Sequence, residues 1–227
     1  MKKLFIFLFL MPYVRVALAQ KSFEGEITYR HFGFDDTKKD TVDGGNYKVL
    51  FAKNAIKIEI LTEKGEVFQE QLVYLDSLKE IIIDHRNKNY WVAWDGRSSK
   101  KSPDLSPWGM NKAEMIHQKQ KIAGHQTDIK RLTNTNKTLN YGFIDLNIAG
   151  DLCYRLPPQV EKNLFLTGLL FSDNKIVLGI SIVSGRAPHP REDYQAIRIE
   201  AKEIPSSEFT IPKDYKIKVM KKPAFMQ

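Results

Sequence analysis

The chain has 227 residues, of which 42% are hydrophobic and 27% charged, with a single cysteine and a formal net charge of +8. This length suits one domain with a sizeable core and excludes a disulfide-stapled miniprotein, since Cys153 alone can form no internal bridge. The charge does not point to nucleic acid. Removing Lys2, Lys3 and Arg15 with the leader described next lowers it to +5, and the remaining lysines are scattered through strands and turns instead of being gathered in a patch.

Residues 1–19 read as a secretory signal peptide: Lys2-Lys3 are basic, residues 4–14 form an apolar run too short to span a bilayer, and Ala17-Leu18-Ala19 is a small-x-small cleavage site. Cleavage after Ala19 leaves residues 20–227 as a single expected domain. No Cys follows the cleavage site, so a lipoprotein anchor is not expected. The expected location is the periplasm or the exterior, with the protein a monomer and any membrane contact peripheral, through weak attraction to an anionic surface.

Residues 23–30 (FEGEITYR) alternate apolar and polar, which predicts a strand with one buried and one wet face. Gly25, on the inward side, implies a close neighbour or a bulge. Residues 31–45 are polar and turn-rich and read as a mobile loop. Residues 47–52 and 55–61 form a hairpin across Lys53-Asn54, with Ile56, Ile58 and Ile60 inward and Lys57 and Glu59 outward on a solvated face. Residues 67–94 read as three antiparallel strands joined by an Asp76-Ser77 turn and an Arg86-Asn87-Lys88-Asn89 turn, because Asp, Ser and Asn side chains support tight turns and such short links permit only antiparallel neighbours. Ile81-Ile82-Ile83 implies a strand covered on both sides.

Residues 95–112, with Gly96, Pro103, Pro107 and Gly109, break the pattern and read as a loop or flap carrying Trp108. Residues 113–121 are expected to be a short helix of poor periodicity. Residues 122–132 and 138–146 suggest another hairpin. Pro158 and Gly168 bracket a second short helix over 159–167. Residues 175–184 form a strongly apolar strand, 185–191 a loop, 194–204 an alternating strand, and 209–219 a last extended segment. The expected architecture is mainly β: nine to eleven strands in a curved antiparallel sheet or half-open barrel, with one or two short helices or loops over the concave face.

The stretches FEGEITYR, KNAIKIEI, YLDSLKEIIIDHRNKNYW, KIAGHQTDIKRL and KEIPSSEFTIPKDYKI, in that order, resemble an uncharacterised family of secreted envelope proteins of Gram-negative bacteria, domains of unknown function grouped with the LolA/LolB lipoprotein-carrier fold. The resemblance covers essentially the whole mature chain. It implies a curved half-barrel whose better-known relatives hold acyl chains on the concave side. It transfers no functional residue, because the family has no catalytic motif. Where family members often carry a Cys soon after Ile-x-Gly, this chain has His125-Gln126-Thr127 after Ile122-Ala123-Gly124.

The residues themselves offer little chemistry. None of the five histidines shares a metal-ligand spacing with another, and His117, His125 and Glu114 form the best of the weak metal sets. Ser181 lies inside an apolar strand without the second glycine of a nucleophile elbow. Cys153, flanked by Leu152 and Tyr154, reads as a buried, inert thiol. No cofactor, metal or catalytic residue is expected. Trp91 and Trp94, three apart in a strand, should face opposite sides, with Trp94 in the core alongside Tyr90 and Val92. Trp91, Trp108 and Met110 are the candidate ligand-binding residues; Trp108 and Met110 lie in the flap, which either closes over an apolar cavity or is a loop pinned to the core by one aromatic anchor. Two functions follow: a periplasmic binding protein that holds a hydrophobic ligand, such as a lipid or a lipoprotein acyl chain, or a non-enzymatic structural protein that docks an envelope partner through its sheet.

Overall fold

The structure is a computed structural model that describes residues 21–35, 40–96, 110–134, 141–161, 167–184 and 190–218. Residues 1–20, expected to hold the leader, most of residues 95–112 with Trp108, and residues 185–189 lie outside these. Strands β1 (Gly25–Asp35), β2 (Asp40–Ala52), β3 (Ala55–Leu61), β4 (Val67–Tyr74), β5 (Lys79–Asp84) and β6 (Asn89–Asp95) run as successive hairpins. Strands β7 (Met110–Ile122), β8 (His125–Asn134) and β9 (Tyr141–Cys153) make a second meander. A short helix, α1 (Pro158–Glu161), and a 3-10 turn (Thr167–Leu170) lead into β10 (Phe171–Ser172), β11 (Lys175–Ser184) and β12 (Pro190–Ala201), with a two-residue β13 (Lys216–Ile217) near the end. The thirteen strands of the described residues belong to one open sheet. It runs in the order β13-β6-β5-β4-β3-β2-β1-β12-β11-β9-β8-β7, with β10 paired only to β11. Every pairing is antiparallel except β13 on β6.

The centre of the sheet is the β1–β12 pairing, which joins the two meanders. Gly25 is required there, because a Cβ would collide with the Glu200 carbonyl oxygen. The tight turns use left-handed backbone: Ala123 and Gly124 both have positive φ between β7 and β8, as do Asp173 and Asn174 between β10 and β11, the geometry that two-residue hairpins favour.

The sheet curls around its inner face. Tyr29 on β1 donates from its hydroxyl across β12 to the Val177 carbonyl on β11 at 2.9 Å. Phe51 on β2 packs edge-on against Tyr154 and Phe171, and the Tyr154 hydroxyl donates to the Ala52 carbonyl at 2.6 Å. Val160 of α1 is fully buried in the same cluster. Tyr154, α1 and the Phe171 turn thus plug one end of the concave side, as an apolar, one-sided sheet requires.

The outer face of β2–β5 is covered as well. After β12 the chain crosses it as a strap, and Ile204, Phe209, Ile211 and Tyr215 pack on Leu50, Leu72, Ile81 and Ile83. The Tyr74 hydroxyl donates to the Phe209 carbonyl at 2.6 Å. Lys57 and Glu59, expected on a solvated face, are therefore only 5% and 4% exposed. They survive burial as a network. Lys57 Nζ lies 2.7 Å from Glu59 Oε1, 3.2 Å from Glu208 Oε2 on the strap and 3.7 Å from Glu70 Oε1, and Lys48 Nζ lies 2.8 Å from Glu59 Oε2. Glu59 and Glu70 stand directly opposite each other on β3 and β4, a like-charge pairing that Lys57 offsets.

Four other expectations change. Residues 31–35 and 40–45, read as loop, extend β1 and β2, because Arg30–Asp43 pairing and a bulge at Gly44 carry the ladder through polar sequence. Residues 113–121, read as a helix, are the edge strand β7; its bulge between Ile116 and Lys119 and its exposed faces erase the alternation. The segment after residue 209 is mostly strap, and within the described part only Lys216–Ile217 is strand. The described residues also hold more strands than the nine to eleven expected.

Candidate functional site

Ladder register decides what reaches the concave face. On β1 it is Ile27, Tyr29 and His31; on β2, Tyr47, Val49 and Phe51; on β3, Ile56, Ile58 and Ile60. Across the junction a bulge at Thr28/Tyr29 drops Ile197 out of step. Ile197 is left exposed, while Ala196 and Tyr194 face inward opposite Tyr29 and His31. On β11, Ile180 pairs with Tyr194 and Ile182 with Glu192.

These side chains do not fill the space between them. A part-enclosed cavity of about 160 Å³ lies among Tyr29, Val49, Ile58 and Ile60 on one wall, Ile180 and Ile182 on the other, and Leu169 and Leu170 of the 3-10 turn. Its polar lining consists of Gln71, Tyr47, Tyr194 and Glu192. The Tyr194 hydroxyl donates to Glu192 Oε2 at 3.2 Å. The Tyr47 and Tyr194 rings meet edge-on at 5.6 Å, and His31 stacks on Tyr194 at 4.3 Å in a slot that only a glycine at position 44 leaves open. Burial, and next the Glu192 charge, push the Tyr194 and Tyr47 hydroxyls above the ordinary tyrosine value, and burial alone does so for Tyr29, so all three remain neutral.

Deeper along the sheet, Gln71 donates from Nε2 to Glu80 Oε1 at 2.5 Å. Glu80 is 8% exposed, and burial raises its carboxyl above the ordinary value, partly offset by the Gln71 bond. Trp94, directly opposite Glu80, packs against the inner core, and among the described residues its indole Nε1 has no partner.

Of the candidate residues read from sequence, only Trp91 is described with its side chain. Trp91 is half-buried opposite Ile82 and is not among the described residues that line the cavity. Trp108 lies outside the described residues, and Met110 is described only as the first residue of β7. Trp91 and Trp94 do not face opposite sides: a bulge between Glu80 and Ile81 inserts Ala93, so Trp94 shares the face of Glu80, Ile82 and Trp91, while Tyr90 joins the outer cluster. The described lining residues come from β1–β4, β11, β12 and the 3-10 turn, so no single motif carries the cavity. The visible signal for it was the inward run Ile58, Ile60, Ile180 and Ile182.

The weak metal set is not assembled. Glu114 pairs with Arg131 and His125 with Ile122, at separate points on the β7–β8 ladder, and His125 Nδ1 lies 2.8 Å from Asp151 instead. Among the described residues no group of three His, Cys, Asp or Glu side chains is placed to hold a metal. Cys153 ends β9 half-buried.

Fold and site together define the class: an open, curved antiparallel sheet with an apolar cavity on its concave face. No protein-family model matches the chain, and no curated protein matches it. Solved structures similar to it include an uncharacterized conserved protein from Thermus thermophilus, at 7% identity over 86% of this chain and 90% of that one, with a TM-score of 0.48. A LolA superfamily protein from Nitrosomonas europaea is 12% identical over 85% of this chain and 91% of that one, at 0.34. PNGF-II is 11% identical over 87% of this chain, at 0.49, and the chain spans 31% of its length. Likenesses at this level bear on neither ligand nor activity; the fold stands on the strand order itself.

Proposed function

We propose that this is a non-enzymatic binding protein of the periplasm that seats the end of a hydrophobic molecule in its concave cavity. The observation that carries this is the cavity itself, whose walls are mainly isoleucine, leucine, valine and tyrosine. An apolar cavity of about 150 Å³ accepts a molecule the size of benzene. The volume here therefore suits roughly six to eight carbon atoms, the terminal part of an acyl or alkyl chain and less than a whole lipid. The basic and then apolar composition of residues 1–19 supports export.

Calorimetric titration of the mature chain with octan-1-ol tests the reading. Saturable one-to-one binding that disappears in Ile58→Phe, where the new ring occupies the cavity, is the expected result. Heats no larger than dilution in both proteins would sink it.

A further inference from the structure

The polar end of the cavity has a definite sign. Glu192 is the one charged side chain among the described lining residues, and no lysine or arginine joins it there. Among the described residues no cation pairs with it; its contact is the Tyr194 hydroxyl at 3.2 Å. A carboxylate offers about four acceptor positions, so most of its capacity is left over. The other polar groups at this end are Tyr47 and Tyr194, neutral rings with negative faces, set 5.6 Å apart at 63°. A carboxylate beside two tyrosine rings is an arrangement that attracts a cation, through both the charge and the ring quadrupoles. It repels an anion placed at the same point, and the low local dielectric strengthens both effects.

Resting on the hydrophobic-pocket reading above, we infer that the ligand is an amphiphile whose polar end is a cationic amine, held by Glu192 beside the rings of Tyr47 and Tyr194 while its apolar chain runs between Ile58 and Ile180. Fatty acids and other anionic-headed chains are thereby disfavoured. His31, stacked on Tyr194 at 4.3 Å, fixes that ring in place.

The test compares three probes of equal chain length on the mature protein: n-octylammonium, octan-1-ol and octanoate. Octylammonium binds about tenfold more tightly than octan-1-ol, and octanoate binds most weakly. In Glu192→Gln the amide oxygen still accepts from the Tyr194 hydroxyl, so the charge goes and the hydrogen bond stays. The ratio of ammonium to alcohol affinity then falls towards one. Octanoate binding as tightly as octylammonium, or a ratio that Glu192→Gln does not move, overturns the head-group assignment. In that case octan-1-ol binding that Ile58→Phe abolishes shows that the pocket reading survives. Failure of all three probes to bind overturns both.

Discussion

The two faces of the β2–β5 sheet bury side chains by opposite means. On the inner face apolar residues meet across the curl and leave a cavity lined by Ile58 and Ile60. On the outer face the strap of residues 202–217 lies over Leu72, Ile81 and Ile83 and encloses Lys57, Glu59 and Glu70 in a network completed by Glu208. A packed apolar core tolerates a small void at modest cost. A buried ion network tolerates no missing member, because the partner left behind is an uncompensated charge. The outer face is therefore the rigid support, and the inner face is where a ligand can be accommodated.

The largest expected effect is on the outer side. Lys57→Met removes the cation that lies between Glu59 and Glu70, leaves only Lys48 on the far oxygen of Glu59, and costs about 3–5 kcal/mol in urea unfolding. A loss below about 1 kcal/mol would mean that solvent enters beneath the strap. On the inner side Phe51→Ala removes the ring that packs against Tyr154 and Phe171 and costs about 3–5 kcal/mol by the same measurement.

The two faces also answer pH with opposite sign. Burial would raise the Glu59 carboxyl, but the hydrogen bonds from Lys48 and Lys57 and their charges outweigh it and hold the group below its ordinary value. Its contribution is thus present above the unfolded value of about 4.3 and is lost as pH falls through the lower folded value. Glu80 is raised by burial, so its contribution is present below about 4.3 and is lost as pH rises through the higher folded value. Glu80→Gln, which keeps an acceptor for Gln71, therefore stabilises the protein at pH 7 by about 0.5–2 kcal/mol, and the gain shrinks as pH approaches 4. Glu59→Gln destabilises at pH 7, and its penalty shrinks on acidification below that point. Urea midpoints of both variants across pH 3–8 check the pair; slopes of the same sign would contradict the assignment.

The smallest effect separates two neighbours on β3. Ile56 is fully buried outside the cavity, and Ile58 lines it. Ile56→Phe overpacks the core and costs about 1–3 kcal/mol, whereas Ile58→Phe grows into empty space and changes stability by less than about 1 kcal/mol. Equal costs in thermal or urea unfolding would show that the cavity closes up in solution.

Much of this was legible in the sequence, for physical reasons. Strand β3 stands out by its alternation, β5 and β11 by their unbroken apolar runs, and β4 to β6 by turns that are chemically explicit at Asp76-Ser77 and Arg86–Asn89. Strand β7 was not legible, since an edge strand with exposed faces and a bulge has no reason to alternate. Bulges also hid the site: one extra residue at Ala93 turns Trp94 to the side of Trp91, and another at Ile197 brings Tyr194 and Glu192 inward. The strap was invisible locally. Nothing near Lys57 or Glu59 signals that a segment some 150 residues later covers them.

The central claim is that the concave cavity holds the end of a hydrophobic ligand. Native mass spectrometry of the protein purified from its native cells, followed by organic extraction, tests it most directly. The account predicts a stoichiometric adduct on the unaltered protein that extracts as an apolar chain and is missing from Ile58→Phe purified in parallel. An adduct-free mass for the unaltered protein, or an adduct retained by Ile58→Phe, would contradict it.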